Sequence, residues 1–399
     1  MSTKLWNRMV VFILTVIFAL LCISRVGLAQ ETWGGEPLLP IPENPAEGFQ
    51  LFYEKGCMEC HSIGGYGGTA AQDMTKAVTE QSFYGISQMI WNHVPKMSEK
   101  YEEEHIKWPP ITSEEMAILM PFLSYLNFFD KPGDPEEGER VLFREKCVNC
   151  HRVGKVGIVK VKPLDEFKRY KSPVFFVTRF WNSGKAVNKT LQTEGIDLFE
   201  FEENDLMDLI AYIKRSGFGE AGGESIYLPP PNPKSGQRLF LKKGCINCHP
   251  REGKPREAFE GVAVGPFSHI VRRMLNHTMW TDPDHPDMPL TPEEMSDLVS
   301  YIYFLSYAAR PGNPEKGRHL FVEKKCADCH GADVGGGTLV PEFGPASNLK
   351  TPLDVLSGMW NTAPEKMKKE MLEAGVPWPQ FEEREMADLF AYILSARIE

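Results

Sequence analysis

Cys57-Met58-Glu59-Cys60-His61 is the first of four segments with one shared pattern: two cysteines three positions apart, and a histidine directly after the second. The other three lie at 147–151, 245–249 and 326–330. Together they contain eight of the nine cysteines in a chain of 399 residues, and Cys22 stands apart. Because the first cysteines follow one another at intervals of 90, 98 and 81 residues, the chain is predicted to contain four repeats.

The residues before each motif predict a helix that another helix can approach closely. Repeat one has Asn44, Pro45, Gly48 and Phe52, and the same spacing recurs in every repeat. Asn or Asp is a favoured N-cap and Pro a favoured first helical residue, so a helix is expected to begin at each Pro. Gly and the apolar residue four positions later share one face. The counterparts are Asp134, Pro135, Gly138 and Leu142; Asn232, Pro233, Gly236 and Phe240; and Asn313, Pro314, Gly317 and Phe321.

Each repeat also ends in an apolar run with a tyrosine, and acidic residues precede most of these runs. The tyrosines are Tyr125, Tyr212, Tyr301 and Tyr392. This pattern predicts an amphipathic closing helix with an acidic first turn. Short connections rich in Pro and Gly separate the repeats. We therefore expect four all-α domains at 44–130, 132–226, 232–309 and 313–399, with 30–43 as a linker.

The first 29 residues are typical of an export signal. Lys4 and Arg8 precede an apolar run at 9–23, and Gly27-Leu28-Ala29 provides the small residues of a cleavage site. The alternative is an uncleaved N-terminal anchor. The protein is therefore expected in the periplasm, either soluble or tethered by one helix, and Cys22 is expected to belong to the discarded leader.

The C-x-x-C-H pattern has a specific chemical use. Its two thiols can form thioether bonds to the vinyl groups of haem, and the adjacent imidazole can then bind the iron. A zinc site would need a second Cys or His pair in the same repeat, and a thioredoxin-like motif would need a βαβ pattern, and the sequence has neither. We predict four covalently bound haem c groups, attached through Cys57, Cys60, Cys147, Cys150, Cys245, Cys248, Cys326 and Cys329. The proximal iron ligands would be His61, His151, His249 and His330.

Each repeat resembles a class I, mitochondrial-type cytochrome c domain. The likeness rests on the helix with Gly48 and Phe52, the motif at 57–61, the closing helix with Tyr125, and their counterparts downstream. It implies an α fold wrapped around haem, in which the first and last helices cross at the Gly. It also implies one-electron transfer, with a methionine as the usual sixth iron ligand.

Two methionines stand at equivalent positions for that sixth ligand. Met97 and Met367 each lie eleven residues before a Trp-Pro pair, Trp108-Pro109 and Trp378-Pro379. We predict these two as distal ligands. Met371 is the alternative in repeat four.

Repeat three has a shorter distal segment, and its ligand is predicted to be Met279. Met288 is the alternative, but it leaves little chain before the closing helix. His93 and His277 both directly follow an Asn and are possible ligands. We expect them instead to line the distal side or to face solvent.

Repeat two departs from the pattern, because Val187 occupies the methionine position. Three possibilities follow: Lys185 or Lys189 could bind the iron if burial lowered its pKa, a residue from another repeat or a partner could bind it, or the iron could be five-coordinate. Haem two is therefore predicted to lack His/Met ligation.

These patterns favour a multihaem electron carrier over a catalyst, and no organic substrate is inferred. The alternative is a haem enzyme or a site for a small ligand such as peroxide or nitric oxide at haem two; a structural or gas-sensing role is a third. The formal net charge is −10, and Lys4, Arg8 and Arg25 are the only charges in the first 29 residues. Nucleic acid is thus a poor partner. Redox proteins with basic docking surfaces, including a membrane respiratory complex, are expected instead.

Overall fold

Helices dominate the computed structural model, which describes residues 39–217, 226–249, 264–276, 287–308, 312–331 and 349–395. The predicted leader at 1–29 and the linker up to residue 38 lie outside these residues. Within the described ranges, no helix combines the length and apolar character that crossing a bilayer requires.

The helices follow the four repeats. Repeat one contains α1 (Gly48–Glu54), α2 (Met74–Ala77), α3 (Phe83–Glu103) and α4 (Ser113–Tyr125). Repeat two contains α5 (Pro135–Arg144), α6 (Val174–Thr193) and α7 (Asp205–Ser216). Repeat three contains α8 (Pro233–Lys242), α9 (Phe267–Leu275) and α10 (Pro292–Tyr307). Repeat four contains α11 (Pro314–Glu323), α12 (Ala327–His330), α13 (Pro352–Thr362), α14 (Lys368–Glu373) and α15 (Glu383–Ser395).

Two short antiparallel hairpins add strands that the all-α prediction did not include. They are β1 (Ser62–Ile63) with β2 (Tyr66–Gly67), and β3 (Arg152–Val153) with β4 (Val156–Gly157). Each hairpin directly follows a C-x-x-C-H motif, so it shapes the segment that leaves the site. The fold is mostly helical rather than purely helical.

The predicted helix starts are confirmed in all four repeats. Helices α5, α8 and α11 begin at their Pro, and in repeat one a 3-10 turn, Pro45–Glu47, leads into α1. The side chains of the preceding Asn or Asp accept hydrogen bonds from backbone N–H groups of the first turn; these residues are Asn44, Asp134, Asn232 and Asn313. Local sequence thus determines where each repeat begins.

The first and last helices of each repeat cross at the predicted Gly. A Cβ added to Gly48 would lie 2.2 Å from the Cβ of Phe122 in α4. A Cβ at Gly317 would lie 1.9 Å from the carbonyl oxygen of Asp388 in α15. Gly138 and Gly236 face the closing helices of their repeats at comparably short distances, 1.9 and 2.0 Å. Only a residue without a side chain fits these crossings.

A carboxylate of the closing helix fixes the same crossing in repeats two to four, a feature that the sequence did not reveal. Its Oδ1 accepts a hydrogen bond from the backbone N–H of the N-cap residue of the first helix, at 2.6–2.7 Å. The pairs are Asp208 with Asp134, Asp297 with Asn232, and Asp388 with Asn313. In repeat one Ile118 takes the place of this aspartate, so the crossing there relies on apolar packing. Phe122, and not the predicted Tyr125, then takes the place of Tyr301 and Tyr392, because it packs against Phe52 as they pack against Phe240 and Phe321.

Candidate haem-attachment sites

The two cysteines and the histidine of each motif lie on one tight turn. In every repeat the backbone N–H of the histidine donates to the backbone carbonyl oxygen of the first cysteine, at 2.8–3.0 Å. The residue before the first cysteine has a left-handed backbone in all four sites; these residues are Gly56, Lys146, Gly244 and Lys325. That conformation ends the first helix and reverses the chain, so both thiols and the imidazole are presented together.

The proximal imidazoles are oriented by the backbone. His61 Nδ1 lies 2.8 Å from the carbonyl oxygen of Gln72, and His151 Nδ1 lies 2.8 Å from that of Lys162. Both acceptors follow their histidine by eleven residues. Since Nδ1–H donates to a carbonyl, Nε2 is left as the nitrogen that can bind a metal. The residues that would play this part in repeats three and four lie outside the described ranges.

Burial favours the neutral form of the first thiol in each motif. None of the eight described cysteines forms a disulfide. Burial raises the pKa of the Cys57 and Cys326 thiols to about 11 and that of Cys147 to about 12. A pair of thiols with an imidazole whose Nε2 is available fits covalently attached haem.

The apolar residue of the first helix lines the proximal side. The ring centre of Phe240 lies 6.4 Å from that of His249, and Phe321 lies 6.3 Å from His330. Both phenylalanines are buried. The apolar residue four positions after the crossing Gly therefore also packs against the predicted iron ligand.

The distal candidates of repeats one and four lie in different kinds of helix. Met97 lies in the regular helix α3, whereas Met367 ends a π-helical turn, Ala363–Met367, between α13 and α14. Met367 is one residue further from its tryptophan than Met97 is, and the wider turn accommodates that extra residue. Both side chains are partly buried against the core. Their role as ligands stays a prediction, as does that of Met371, which lies in α14.

In repeat two, Val187 lies in the uninterrupted helix α6 at the position of Met97. Lys185 forms an ion pair with Asp287 of repeat three, with Nζ and Oδ1 3.1 Å apart. Lys189 is exposed. The ion pair gives Lys185 a carboxylate partner, which weighs against Lys185 as a ligand of haem two.

The predicted ligands of repeat three are divided. Met279 and His277 lie outside the described residues, so their placement is not described. Met288 is partly buried, and its carbonyl oxygen accepts a hydrogen bond from Trp181 Nε1 at 2.9 Å. The backbone of Met288 therefore belongs to a contact with repeat two.

Repeats one and four are joined by a reciprocal set of hydrogen bonds. Trp91 Nε1 donates to the carbonyl oxygen of Pro379, and Trp360 Nε1 donates to that of Pro109, both at 2.8 Å. The Trp-Asn and Trp-Pro segments, which marked equivalent positions along the chain, thus pair with each other across the two repeats.

The asparagine beside each of these tryptophans strengthens the pairing. Asn92 bonds both the N–H and the carbonyl oxygen of Phe381, at 3.0 and 2.8 Å, and Asn361 bonds both groups of Ile111 at the same distances. Each amide side chain therefore mimics a strand partner for one residue of the other repeat. These bonds hold the distal helices α3 and α13 in fixed rotation.

A proline in the distal helix contributes to this interface. Pro95 has no N–H, so the carbonyl oxygen of Trp91 lacks its usual donor within α3. That oxygen instead accepts a hydrogen bond from Trp378 Nε1 of repeat four at 3.1 Å, and the two indole rings stack with centres 4.3 Å apart. The interruption in the helix is thereby used for contact between repeats.

Repeats two and three are paired in the same way. Asn182 bonds both backbone groups of Leu290, at 2.8 and 2.9 Å, and Asn276 bonds both groups of Phe201, at 2.9 and 3.1 Å. The pattern repeats that of Asn92 and Asn361, so this is a second copy of one interface.

Repeat one also contacts repeat three. The buried Tyr303 donates from its hydroxyl to the carbonyl oxygen of Ser124 at 2.5 Å, and its ring packs edge-on against Phe128. Asp130 accepts a hydrogen bond from the N–H of Ser268 at 3.1 Å. The described contacts therefore connect the repeats in the order two, three, one, four, and residues from Leu39 onward form one compact unit.

Comparison with known proteins identifies the family of one repeat. Residues 314–397 match the family model described as cytochrome c. The chain is also 37% identical over 140 residues to the "Cbb3-type cytochrome c oxidase subunit FixP" of Sinorhizobium medicae (strain WSM419); the match covers 33% of this chain and 46% of the relative. The chain thus spans about half the length of that relative. No solved structure matches. Repeat four is a cytochrome c domain, and haem c is the cofactor that this family supports.

Proposed function

We propose that the chain is an exported tetrahaem c-type cytochrome, which carries single electrons between redox partners of a bacterial respiratory chain. The observation that carries this proposal is the same turn, with two cysteines and a histidine, in all four repeats. The cytochrome c family match of repeat four and the likeness to FixP support it.

The residues of the chain hold the cofactor and set its electronic properties. Bound haem supplies an iron that alternates between ferrous and ferric states. In each repeat the cysteines tether the group, and the proximal histidine binds through Nε2 while its Nδ1 is fixed by a backbone carbonyl where that residue is described. The helix crossing at the Gly joins the first and last helices of the repeat. None of these roles requires a proton to move.

The contacts between repeats favour a route that differs from chain order. The paired repeats, one with four and two with three, are linked through the contact of Tyr303 with Ser124. Electrons would then pass in the order two, three, one, four, or the reverse. Repeat one occupies an internal position on this route although it is first in the sequence.

Loss of single haems tests the route. Replacing both cysteines of one motif by alanine, in the otherwise complete chain, removes one attachment site. Without haem one (Cys57→Ala with Cys60→Ala), we expect electrons that enter at haem four to stop there. Without haem four (Cys326→Ala with Cys329→Ala), haems one to three should still equilibrate. Rapid-mixing absorption kinetics measure both. Fast exchange between haems four and three in the first variant would contradict the route.

A haem count tests the proposal at its base. Intact mass of the mature protein should exceed the polypeptide mass by four haems, and the Cys147→Ala with Cys150→Ala variant should carry three. The mass also reports whether the predicted leader has been removed. A wild-type protein that binds fewer than four haems after maturation in a competent host would contradict the proposal.

The partners follow from charge and likeness. The relative is named as a subunit of a cbb3-type oxidase, which supports a respiratory membrane complex as the neighbour of this chain. The acidic balance of the sequence favours a partner that presents a basic surface. Electron transfer to such a partner should slow as ionic strength rises.

A small-ligand site at haem two is the second candidate. It is favoured by Val187 at the distal position and by the ion pair that holds Lys185 to Asp287. Carbon monoxide should then bind the reduced protein at one site per chain, and hydrogen peroxide turnover would show catalysis. Absence of carbon monoxide binding would eliminate this candidate.

A further inference from the structure

The imidazole of His93 faces the proximal ligand of repeat one. The ring centres of His93 and His61 are 6.3 Å apart, and their planes meet at 61°. A metal–imidazole nitrogen bond is about 2.0 Å long and the nitrogen lies about 1.1 Å from the ring centre, so two imidazoles on opposite sides of one metal have centres about 6.2 Å apart. The observed separation therefore matches that of two ligands of a single ion.

We propose that His93, in place of the predicted Met97, is the sixth ligand of the haem iron in repeat one. This rests on the proposed haem-binding function. His93 and Met97 are four residues apart on α3, which places them about 6 Å apart along the helix axis. With α3 in one position, only one of these two side chains can reach a given iron.

Repeat four holds α3 in the position that favours His93. Directly before His93, Asn92 bonds both backbone groups of Phe381. Directly after Met97, Ser98 Oγ accepts a hydrogen bond from Lys368 Nζ at 2.7 Å. The segment is thus fixed on both sides, so sliding α3 by one turn to present Met97 would break these bonds.

His61, which His93 faces, is oriented to bind a metal. The Nδ1 of His61 bonds the carbonyl oxygen of Gln72, so its Nε2 is available to bind an iron. The ligand pair is therefore complete without Met97.

The assignment makes the repeats chemically unequal. The positions that correspond to His93 hold Ser183 in repeat two and Thr362 in repeat four, so neither can use this ligand. Methionine ligation raises the reduction potential of a haem relative to histidine ligation. Haem one should therefore have a lower potential than a methionine-ligated haem four.

The test compares His93→Ala with the matched control Met97→Leu in the full-length, haem-loaded protein. Electron paramagnetic resonance counts high-spin and low-spin haems, and the methionine–iron charge-transfer band counts methionine ligands. Met97→Leu should leave both unchanged. His93→Ala should change one haem of the four, which becomes high-spin or gains the methionine band if Met97 replaces the histidine. The converse result, an unchanged His93→Ala and a methionine band lost in Met97→Leu, would overturn the assignment.

A second variant guards against misfolding. His93→Met should keep four haems, add one methionine band and raise the potential of one haem in a redox titration. If it leaves the band count and all four potentials unchanged, His93 is not a ligand. Failure of the proposed function itself is seen separately, because the wild-type protein would then lack the four-haem mass.

Discussion

The helix crossing in repeat four offers a strong test of how these repeats are held together. Gly317 lies in α11, and a Cβ at that position would lie 1.9 Å from the carbonyl oxygen of Asp388. A carbon and a carbonyl oxygen approach to only about 3.3 Å, so Gly317→Ala must separate α11 and α15 by more than an ångström. That movement also strains the hydrogen bond between Asp388 and the N–H of Asn313.

The magnitude follows from two opposing terms. Overpacking of this kind costs about 3 kcal/mol, while Ala in place of Gly inside a helix recovers about 1 kcal/mol. We therefore expect Gly317→Ala to destabilise the fold by about 2 kcal/mol. Gly358→Ala is the matched control, since Gly358 also lies in a helix of repeat four and its added Cβ would meet nothing closer than 3.7 Å. The control should be stabilised by up to about 1 kcal/mol.

The assay is denaturant unfolding of the haem-loaded chain, followed by circular dichroism and by the absorption of the haems. The midpoint should fall for Gly317→Ala and stay level or rise for Gly358→Ala. Equal midpoints in the two variants would refute the argument, because they would mean that the helices can separate without loss of packing.

Three further predictions concern ligation, acid stability and the contact between repeats. Met367→Leu should remove one methionine–iron band, whereas Met371→Leu should leave it; the reverse would reassign the ligand of haem four. Hydrogen bonds from the Thr75 hydroxyl, the N–H of Gly65 and Ser62 Oγ hold the pKa of the Asp73 carboxyl well below its usual range. The ionised carboxylate therefore stabilises the fold above about pH 4, and this stabilisation is lost as pH falls further. Asp73→Ala should therefore lower the melting temperature at pH 7 and progressively less below pH 4; an equal loss at every pH would contradict this. Asn361→Ala removes the bond to the N–H of Ile111, whereas the carbonyl oxygen of Ile111 still accepts from Ser357 Oγ. The loss should cost about 1 to 2 kcal/mol in denaturant unfolding, and an unchanged midpoint would show that the interface does not depend on Asn361.

The parts of the fold that sequence alone predicted are those with local causes. The N-cap and Pro before each motif set the helix start, and the Gly three residues later sets the crossing. The turn at Cys57–His61 is similarly local, because its histidine bonds the first cysteine four residues earlier. Such features recur at fixed spacing, so four copies make the pattern evident.

Contacts between repeats left no comparable signal. Trp91 and Pro379 are 288 residues apart, and nothing in the sequence of either segment predicts that the two are in contact. The Trp-Asn segments indicate only equivalent positions along the chain. Their hydrogen bonds between repeats are visible only in the fold. The aspartates at 208, 297 and 388 bond the first helix through tertiary contacts, and nothing in their local sequence indicates this role.

The distal ligand shows why such sites are difficult to assign from sequence. Both His93 and Met97 stand on one face of α3, and either is chemically able to bind iron. The choice depends on how the helix is positioned, and repeat four determines that position through Asn92 and Ser98. A rule based on spacing from a tryptophan cannot include a constraint that comes from 270 residues away.

The pairing of repeat one with repeat four nests the inner pair, two with three, inside the outer one. Synthesis proceeds from the N-terminus, so repeat one is complete long before its partner exists. Until then the face around Trp91 has no indole to stack against, and the carbonyl oxygen released by Pro95 has no donor from Trp378. Repeat four, which is made last, therefore completes the interface. A chain that ends before it would expose an apolar face of repeat one with an unpaired carbonyl oxygen, which quality control can recognise.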